Sequence, residues 1–407
     1  MSNTILGKDI ASNKTVTIDE KARSRGVYII GKTGFGKSIE VENMAVQDIE
    51  ARLGVCVIEP SSDLINAILC RIPDTRIQDV ILLDPIELAR QDQYFGLNLF
   101  ACSDPTDPVA VEYTVTQIVQ IFEKVFGMSK ETPRLNQFVR QVGYTFAPTD
   151  YTMCEIPNLL LDKSFRDRVV ANVTSTSTKF FWKNHDQLRS QDQSERSEST
   201  LDRIDSLISN AIIRNIVGQS QTTINFRKIM DSGKILLVYL PKQFGSMSTL
   251  LGSVVISQLL LAALSRADTT KRRFFGLYVD EFQNYATEDM LTMLTEARKY
   301  NIASVVANQV LGQLEEKILA GVRNAGTLLC FRLTSDDAEK LAPEYNLMPP
   351  KAIKPPGTTP ADVLYELNHH PEEAVKKFWT VYVKKLLEAK TIHIKPNIVK
   401  LSTDLWT

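Results

Sequence analysis

Gly31-Lys32-Thr33-Gly34-Phe35-Gly36-Lys37-Ser38 fits the phosphate-loop pattern G-x-x-x-x-G-K-[ST]. Its flanks carry as much information as the match. Gly26-Val27-Tyr28-Ile29-Ile30 reads as a short buried strand, and the stretch from Gly36 to Arg52 as a helix that stops before Gly54. Strand, glycine-rich loop and helix in that order form an anion cradle. The glycines let successive backbone N–H groups turn inward onto phosphate oxygens, and the helix N-terminus adds its partial positive charge at the same point. Lys37 then reaches the β- and γ-phosphates, and the Ser38 hydroxyl is placed to ligate Mg²⁺. ATP and Mg²⁺ are therefore the expected cofactors. The competing account, a chance match in a glycine-rich turn, does not explain the flanks.

Outward from this loop the chain reads as an α/β fold with helices on both faces of a mainly parallel sheet. Val55-Cys56-Val57-Ile58-Glu59-Pro60 is a β-branched run bounded by Gly54 and Pro60, a buried parallel strand. Ser61-Ser62-Asp63-Leu64 opens a helix with Ser61 or Ser62 as its N-cap. Asp79 to Asp84 gives a third strand. From about Pro105 to Gln219 only helical periodicity remains, as in Val111-Val115-Ile118-Val119-Phe122 and Leu201-Ile204-Leu207-Ile208. The polar stretch Arg189–Ser199 is either a mobile connection or an exposed helix start. The sheet resumes at Lys234–Pro241, followed by an amphipathic helix Thr249–Arg266. Further strands are expected at Phe275–Glu281, Ala303–Gln309 and Thr327–Arg332. The expected organisation is a hairpin at 1–25 laid against the nucleotide lobe, a nucleotide-binding domain from 26–104 and 220–347, and an all-α insertion at 105–219. A proline-rich linker at 348–360 and a small element at 361–407 close the chain.

Composition narrows the classes. With 43% hydrophobic and 23% charged residues, the chain has what a large core and an ordinary globular surface need. A formal net charge of −1 excludes a global positive field, so a nucleic-acid partner must meet local patches or the inside of a ring. The apolar run Leu250–Leu264 carries Ser253, Ser257 and Gln258 and reads as too short and too polar for a bilayer span. No basic-then-apolar leader pattern opens Met1–Asp9. Five scattered cysteines without C-x-x-C spacing read as reduced thiols in a cytoplasm, and the four histidines show no ligand spacing. Arg23 and Arg25 read as a solvated turn, and Lys271-Arg272-Arg273 as a solvated loop.

Tyr278-Val279-Asp280-Glu281 is an apolar strand ending in two carboxylates. A phosphate-loop enzyme needs one carboxylate near Mg²⁺ and a second to polarise the attacking water, which assigns Asp280 to the metal shell and Glu281 to the water. The alternative is an acidic helix cap. Gln309 ends the next strand, where an amide can bond a γ-phosphate oxygen or the attacking water; a plain polar strand end is the rival. Arg298, in Glu296-Ala297-Arg298-Lys299-Tyr300, is a candidate for stabilising phosphoryl charge from a neighbouring subunit. A surface arginine favoured by a helix dipole is the rival, and Arg332 is the second candidate finger.

These stretches resemble the HerA/FtsK group of ring-forming ATPases, and are closest to the ATPase part of conjugative coupling proteins such as TraD and TraG. The residues that carry the resemblance are Ile29–Ser38, Val57–Leu64, Gly233–Lys242, Leu277–Asn284, Glu296–Tyr300 and Asn308-Gln309, and it runs from about residue 5 to 345. It implies a RecA-type core, a homo-hexameric ring with DNA in its central channel, and a trans-acting arginine eleven residues before the sensing glutamine; 309 − 298 = 11 carries that role to Arg298. A nuclease, relaxase or secretion-system partner is implied as well. The sequence departs from the pattern at Glu59-Pro60-Ser61-Ser62-Asp63, where the family has Asp-Pro-x-Gly-[Asp/Glu]. No membrane helices of the coupling-protein kind are present, so any membrane association is expected to come through a partner. Three functions follow for comparison: a DNA-translocating ATPase in conjugation, the same motor in repair or anti-phage defence, and a nucleotide-gated scaffold that moves little DNA. A metabolic kinase is disfavoured by the lack of a short lid-like arginine cluster.

Residues 376–400 hold seven lysines against one acid, Glu388, with Phe378, Trp379 and Tyr382 interleaved. This is a possible phosphate or base contact, or a partner-docking helix, but equally a core-facing aromatic stripe with a solvated lysine face.

Overall fold

The apolar, β-branched runs pair with one another because each is buried on both faces and has no water to bond its backbone. The computed structural model describes residues 3–9, 12–128, 132–342 and 398–399. Strands β1 (Thr4–Lys8) and β2 (Thr15–Ile18) form an antiparallel hairpin. The main sheet holds β3 (Val27–Ile30), β4 (Gly54–Glu59), β5 (Val80–Leu83), β6 (Ile235–Tyr239), β7 (Phe275–Val279), β8 (Ile302–Asn308) and β9 (Thr327–Cys330). Their spatial order is β9-β3-β8-β7-β4-β6-β5, and every pairing is parallel. A two-residue strand β10 (Ile398–Val399) adds to β9. The rest of the proline-rich and lysine-rich C-terminal readings lies outside the described residues.

Alternation along the strands divides the core between two faces. Val27 and Ile29 of β3 pack with Val41, Met44 and Ile49 of helix Lys37–Glu50, and with Leu6 and Ile18 of the hairpin. Tyr28 and Ile30 point the other way, into a larger cluster with helices Ser246–Ser265 and Glu288–Glu296. Gln47 ties the hairpin down: its amide receives Ile5 N–H at 2.8 Å and donates to Ile5 C=O at 2.9 Å. Helix Ser246–Ser265 is apolar all round rather than amphipathic, the signature of a buried helix. The run Ser246–Asp268 that it opens is by length and composition long enough to cross a bilayer, which corrects the sequence reading; 72% of its most apolar window is buried inside the protein.

Between residues 108 and 217 the described structure is helical, from Pro108–Phe126 to Ala211–Val217. The polar stretch at 189–199 belongs to a helix, Ser190–Ile208. Helix Pro108–Phe126 packs Ile118 and Phe122 into the same core as the sheet-side helices, and one buried carboxylate joins them. Asp289 accepts from Gln117 Nε2 at 3.0 Å and from the Ser257 hydroxyl. Burial raises its pKa despite those two bonds.

One arginine reading is corrected. Arg23 is only 4% exposed and forms a two-pronged bond to Asp48 at 2.7 Å on each arm, while Tyr278 Oη donates to the same carboxylate at 2.6 Å. The short helix Glu20–Arg23, capped by Asp19, swings this side chain inward under the sheet, where a charge is stable only when fully partnered. Lys271-Arg272-Arg273 is a loop with Lys271 and Arg273 exposed, as expected, and its arginines also donate to backbone carbonyls, Arg272 to Arg266 and Lys299 and Arg273 to Ser232 and Arg52.

Candidate active site

Strand order decides what stands next to the phosphate loop. Along the carboxyl edge of the sheet the chain presents, in sequence, the loop after β3, Gln309 after β8, Asp280 and Glu281 after β7, and Glu59 at the end of β4. The loop itself needs its glycines: Gly34 and Gly36 have φ of +81° and +94°, the left-handed region that other residues enter at a cost. Gly31 is required for a different reason, since a Cβ there would fall 2.5 Å from Phe331 Cβ on the neighbouring β9 segment.

Helix Lys37–Glu50 starts at Gly36 and places Ser38 so that its hydroxyl donates to Asp280 Oδ2 at 2.7 Å. That bond crosses above β8. Asp280 Oδ1 accepts from the Glu281 backbone N–H at 2.9 Å, so its carboxylate is fixed at both oxygens. Burial still raises its pKa, with the nearby Glu281 charge adding to the rise and Ser38 opposing it. Lys37 is 5% exposed, and burial lowers its pKa against the pull of Asp280 and Glu281. A buried cation beside two carboxylates, at the mouth of a glycine loop, fits a polyphosphate with its divalent ion. Lys37 and the loop amides would hold the phosphates, and Ser38 with Asp280 would hold Mg²⁺.

Glu281 stands in the left-handed region at φ +49°, a conformation costing about 1 kcal/mol for a residue with a Cβ. Its carboxylate is gripped by two amides. Gln309 Nε2 donates to Oε1 at 2.6 Å and Gln283 Nε2 to Oε2 at 2.7 Å. Gln283 went unnoticed in the sequence, because nothing in Phe282-Gln283-Asn284 marks which way a 3₁₀ turn will aim it. A cleft of about 380 Å³ opens beside these groups, lined among others by Pro60, Lys242, Ser248, Glu281 and Gln309. Asn308, fully buried, takes Tyr28 Oη–H at 2.8 Å and donates to Val310 C=O at 2.8 Å, which fixes the turn that delivers Gln309.

Glu59, where the sequence departs from the pattern of the group it resembles, is 1% exposed. It accepts from Ile65 N–H at 2.8 Å and from the Ser61 hydroxyl at 2.7 Å. Glu59 thus does the capping expected of Ser61 or Ser62 for helix Asp63–Leu69; Ser62 itself sits at φ +70° with no side-chain cap bond. Burial raises the Glu59 pKa against those two bonds.

The two candidate fingers lie at opposite ends of the sheet. Arg298 is exposed in the 3₁₀ turn Ala297–Tyr300 ahead of β8, whereas Gln309 follows that strand. Seven strand residues separate them by roughly 20 Å, so Arg298 does not join the phosphate loop of its own chain. Arg332 does: its guanidinium lies 5.0 Å from the centroid of the Phe35 ring, and its carbonyl accepts from Lys32 N–H at 2.7 Å. All five cysteines are free thiols, and no cluster of metal-binding side chains occurs among the described residues.

Fold and site define a RecA-type P-loop ATPase fold. The chain is similar to several solved structures of that class. TrwB, a bacterial plasmid coupling protein solved with a non-hydrolysable ATP analogue, superposes with a TM-score of 0.57 at 16% identity, over 84% of this chain and 78% of TrwB. TrwB with ADP and Mg²⁺ gives 0.54 at 16%, over 79% and 73%. VirB4 of Thermoanaerobacter pseudethanolicus gives 0.54 at 14% identity, over 85% and 88%. No family model matches the sequence, and neither does any curated protein.

Proposed function

We propose that the chain is the ATP-hydrolysing subunit of a ring-shaped motor that moves DNA, working with a secretion or conjugation apparatus. One observation carries the reading: Ser38 and Asp280 meet at 2.7 Å while Glu281, the next residue, is held by Gln309 at 2.6 Å. A site that only bound nucleotide would have no use for a second carboxylate tied to an amide on the strand between it and the phosphate loop. When bound, Mg²⁺ would neutralise charge on the phosphate oxygens; the steps that fall to this chain are its own. Lys37 and the loop hold the triphosphate. Glu281, once Gln309 turns to the γ-phosphate, orients water for in-line attack and takes up its proton.

A ring is the arrangement that would bring Arg298 to a nucleotide. Arg298 projects at the far edge from the protomer's own loop, so a role in phosphoryl transfer requires an adjacent copy. The bound nucleotides in the TrwB structures agree with ATP and Mg²⁺ as cofactors. A homo-hexamer with DNA in its channel, a relaxase or nuclease partner, and a cytoplasmic station at a membrane-bound partner complete the proposal.

The test is turnover with and without DNA, with mixed subunits. Wild-type protein should hydrolyse ATP faster when DNA is added. Lys37→Ala and Arg298→Ala should each be inactive, yet mixtures of the two should regain turnover at composite interfaces. Turnover indifferent to DNA would replace the motor with a nucleotide-gated scaffold. No recovery at any mixing ratio would remove Arg298 from the reaction.

A further inference from the structure

The cleft beside Glu281 has lining groups that gripping and cutting the triphosphate leave unused. Besides Glu281 and Gln309, its volume of about 380 Å³ is bounded by Lys242, Gly245 and Tyr285. Strand β6 ends at Tyr239, and the chain runs through the 3₁₀ turn Lys242–Phe244 into helix Ser246–Ser265. The start of a 20-residue helix is thereby brought to the cleft. No side chain caps it. Gly245, at the N-cap, stands at φ +52°, and a Cβ there would meet no atom within 4 Å. The Ser248 hydroxyl turns away and donates to Pro241 C=O at 2.6 Å. The leading N–H groups of the helix keep their share of positive dipole for whatever enters beside them.

Lys242 adds a full charge to that end. It is exposed, and its field reaches the triphosphate site: burial lowers the Lys37 pKa most, and Lys242 lowers it further. Tyr285 is an independent mark of a ligand. Its ring lies against Gly252 of the same helix, where a Cβ would fall 2.3 Å from Cδ1. The residue is 1% exposed, yet its hydroxyl has no hydrogen-bond partner among the described residues. Burial raises its pKa, and the charges of Glu59, Asp280 and Glu281 add to the rise, so the hydroxyl stays a donor. A buried donor without an acceptor is destabilising, and an oxyanion in the cleft removes that cost.

In-line attack selects the anion. Water bonds the γ-phosphorus as the bond to the β–γ bridging oxygen breaks, and the proton of the water goes to Glu281. The phosphoryl group moves away from ADP and toward the attacking water, which is toward Glu281 and the cleft that it lines. Once protonated, Glu281 no longer repels a phosphate dianion, while Lys242 and the helix end attract it. A cationic side chain from an adjacent copy would meet the opposite field.

We propose that this cleft is a product site for the inorganic phosphate cut from ATP, held by Lys242, the uncapped start of helix Ser246–Ser265 and the Tyr285 hydroxyl before it leaves for solvent. The inference rests on ATP hydrolysis at Glu281, but the phosphate site is measurable without turnover.

Phosphorus NMR line broadening of inorganic phosphate by the full chain, saturated with Mg²⁺ and a non-hydrolysable ATP analogue, tests it. The analogue fills the phosphate loop through its γ position. In Glu281→Gln, whose neutral side chain copies the protonated carboxyl, phosphate should bind, and wild type should bind it more weakly. Adding Lys242→Ala or Tyr285→Phe to Glu281→Gln should weaken phosphate about tenfold in each case, the share of one charge-assisted bond. Thermal melts should not change on either addition, because Lys242 is exposed and the second change keeps the ring on Gly252. Loss of all phosphate binding once the analogue is bound would overturn the proposal and put the phosphate in the loop. Affinity unchanged by both additions would overturn it as well, leaving an adventitious ion only. Either result leaves the hydrolysis reading standing. Absence of ATP turnover, with phosphate bound and weakened by both additions, would sink the hydrolysis reading and keep the phosphate site.

Discussion

The two edges of the main sheet are both crowded with charge, and they use it in opposite ways. At the amino edge, buried arginines are fixed mainly by backbone: Arg76 donates to the carbonyls of Ile49, Leu53 and Gly233 as well as to Asp79, and Arg266 to those of Tyr300 and Arg273 as well as pairing with Asp231. At the carboxyl edge, side chains bond each other: Ser38 to Asp280, and Gln309 and Gln283 to Glu281. A guanidinium locked onto carbonyls leaves nothing for a ligand and fixes where strands begin. A carboxylate held by a neutral amide can exchange that partner for water or phosphate without leaving a buried charge unpaired. The first arrangement is structural and the second is replaceable, which is what a site that must bind and release needs.

Substitutions can break or sharpen this contrast. Glu281→Gln has the largest expected effect on chemistry: turnover should fall by about 10²- to 10⁴-fold with ATP still bound, as read by steady-state kinetics and nucleotide titration. Its melting temperature should not fall; a large drop would place Glu281 among the structural groups. Arg76→Ala should do the reverse. It removes one bond from each of three carbonyls at the base of the sheet and the ion pair with Asp79, and should cost about 4 kcal/mol in denaturant melts, while the protein that remains folded turns over normally.

Glu40 offers a pH-dependent case near the boundary between the two. It sits in the first turn of the helix that the phosphate loop opens, is 4% exposed, and burial pushes its pKa up to about 8 from an ordinary value of 4.5. The folded state therefore holds this proton more tightly than the unfolded chain does. Stability from this group is full at low pH and is lost as pH rises from about 4.5 through about 8. Glu40→Gln should flatten that loss, worth on the order of 3 kcal/mol, in melts recorded from pH 5 to 8.5. An unchanged slope would mean that Glu40 finds a charge partner in solution. The smallest effect belongs to Gln283→Ala. With one of two grips on Glu281 removed, kcat should change by roughly threefold and KM hardly at all. An equal change in KM would show that Gln283 touches the nucleotide instead.

Much of the carboxyl edge was legible in one dimension. The loop Gly31–Ser38, the carboxylates Asp280 and Glu281 and the strand-ending Gln309 each carry a local signal, an apolar run that stops at polar residues. Gln283 and Glu59 carry none, because their roles depend on where a 3₁₀ turn and a helix start aim one side chain. The amino edge was misread for a related reason. Arg23 looks like a solvent-loving residue in a turn, and only the crossing of distant segments shows that Asp48 and Tyr278 surround it. Helix Ser246–Ser265 misled in the other direction, since its serines suggested a polar face that the structure buries.

The sequence alone determined that this chain has a glycine-rich anion cradle between a strand and a helix, because the cradle is built from residues close along the chain, and that a parallel sheet carries it, because each strand is an apolar run suited to burial on both faces. Tertiary structure alone decided that β8 runs between the loop strand and the Asp280 strand, and so set Gln309 between phosphate site and carboxylates. It also sent Arg298 to the opposite edge. Strand order is fixed by long-range burial of faces whose local patterns are alike, so no single stretch of residues encodes it.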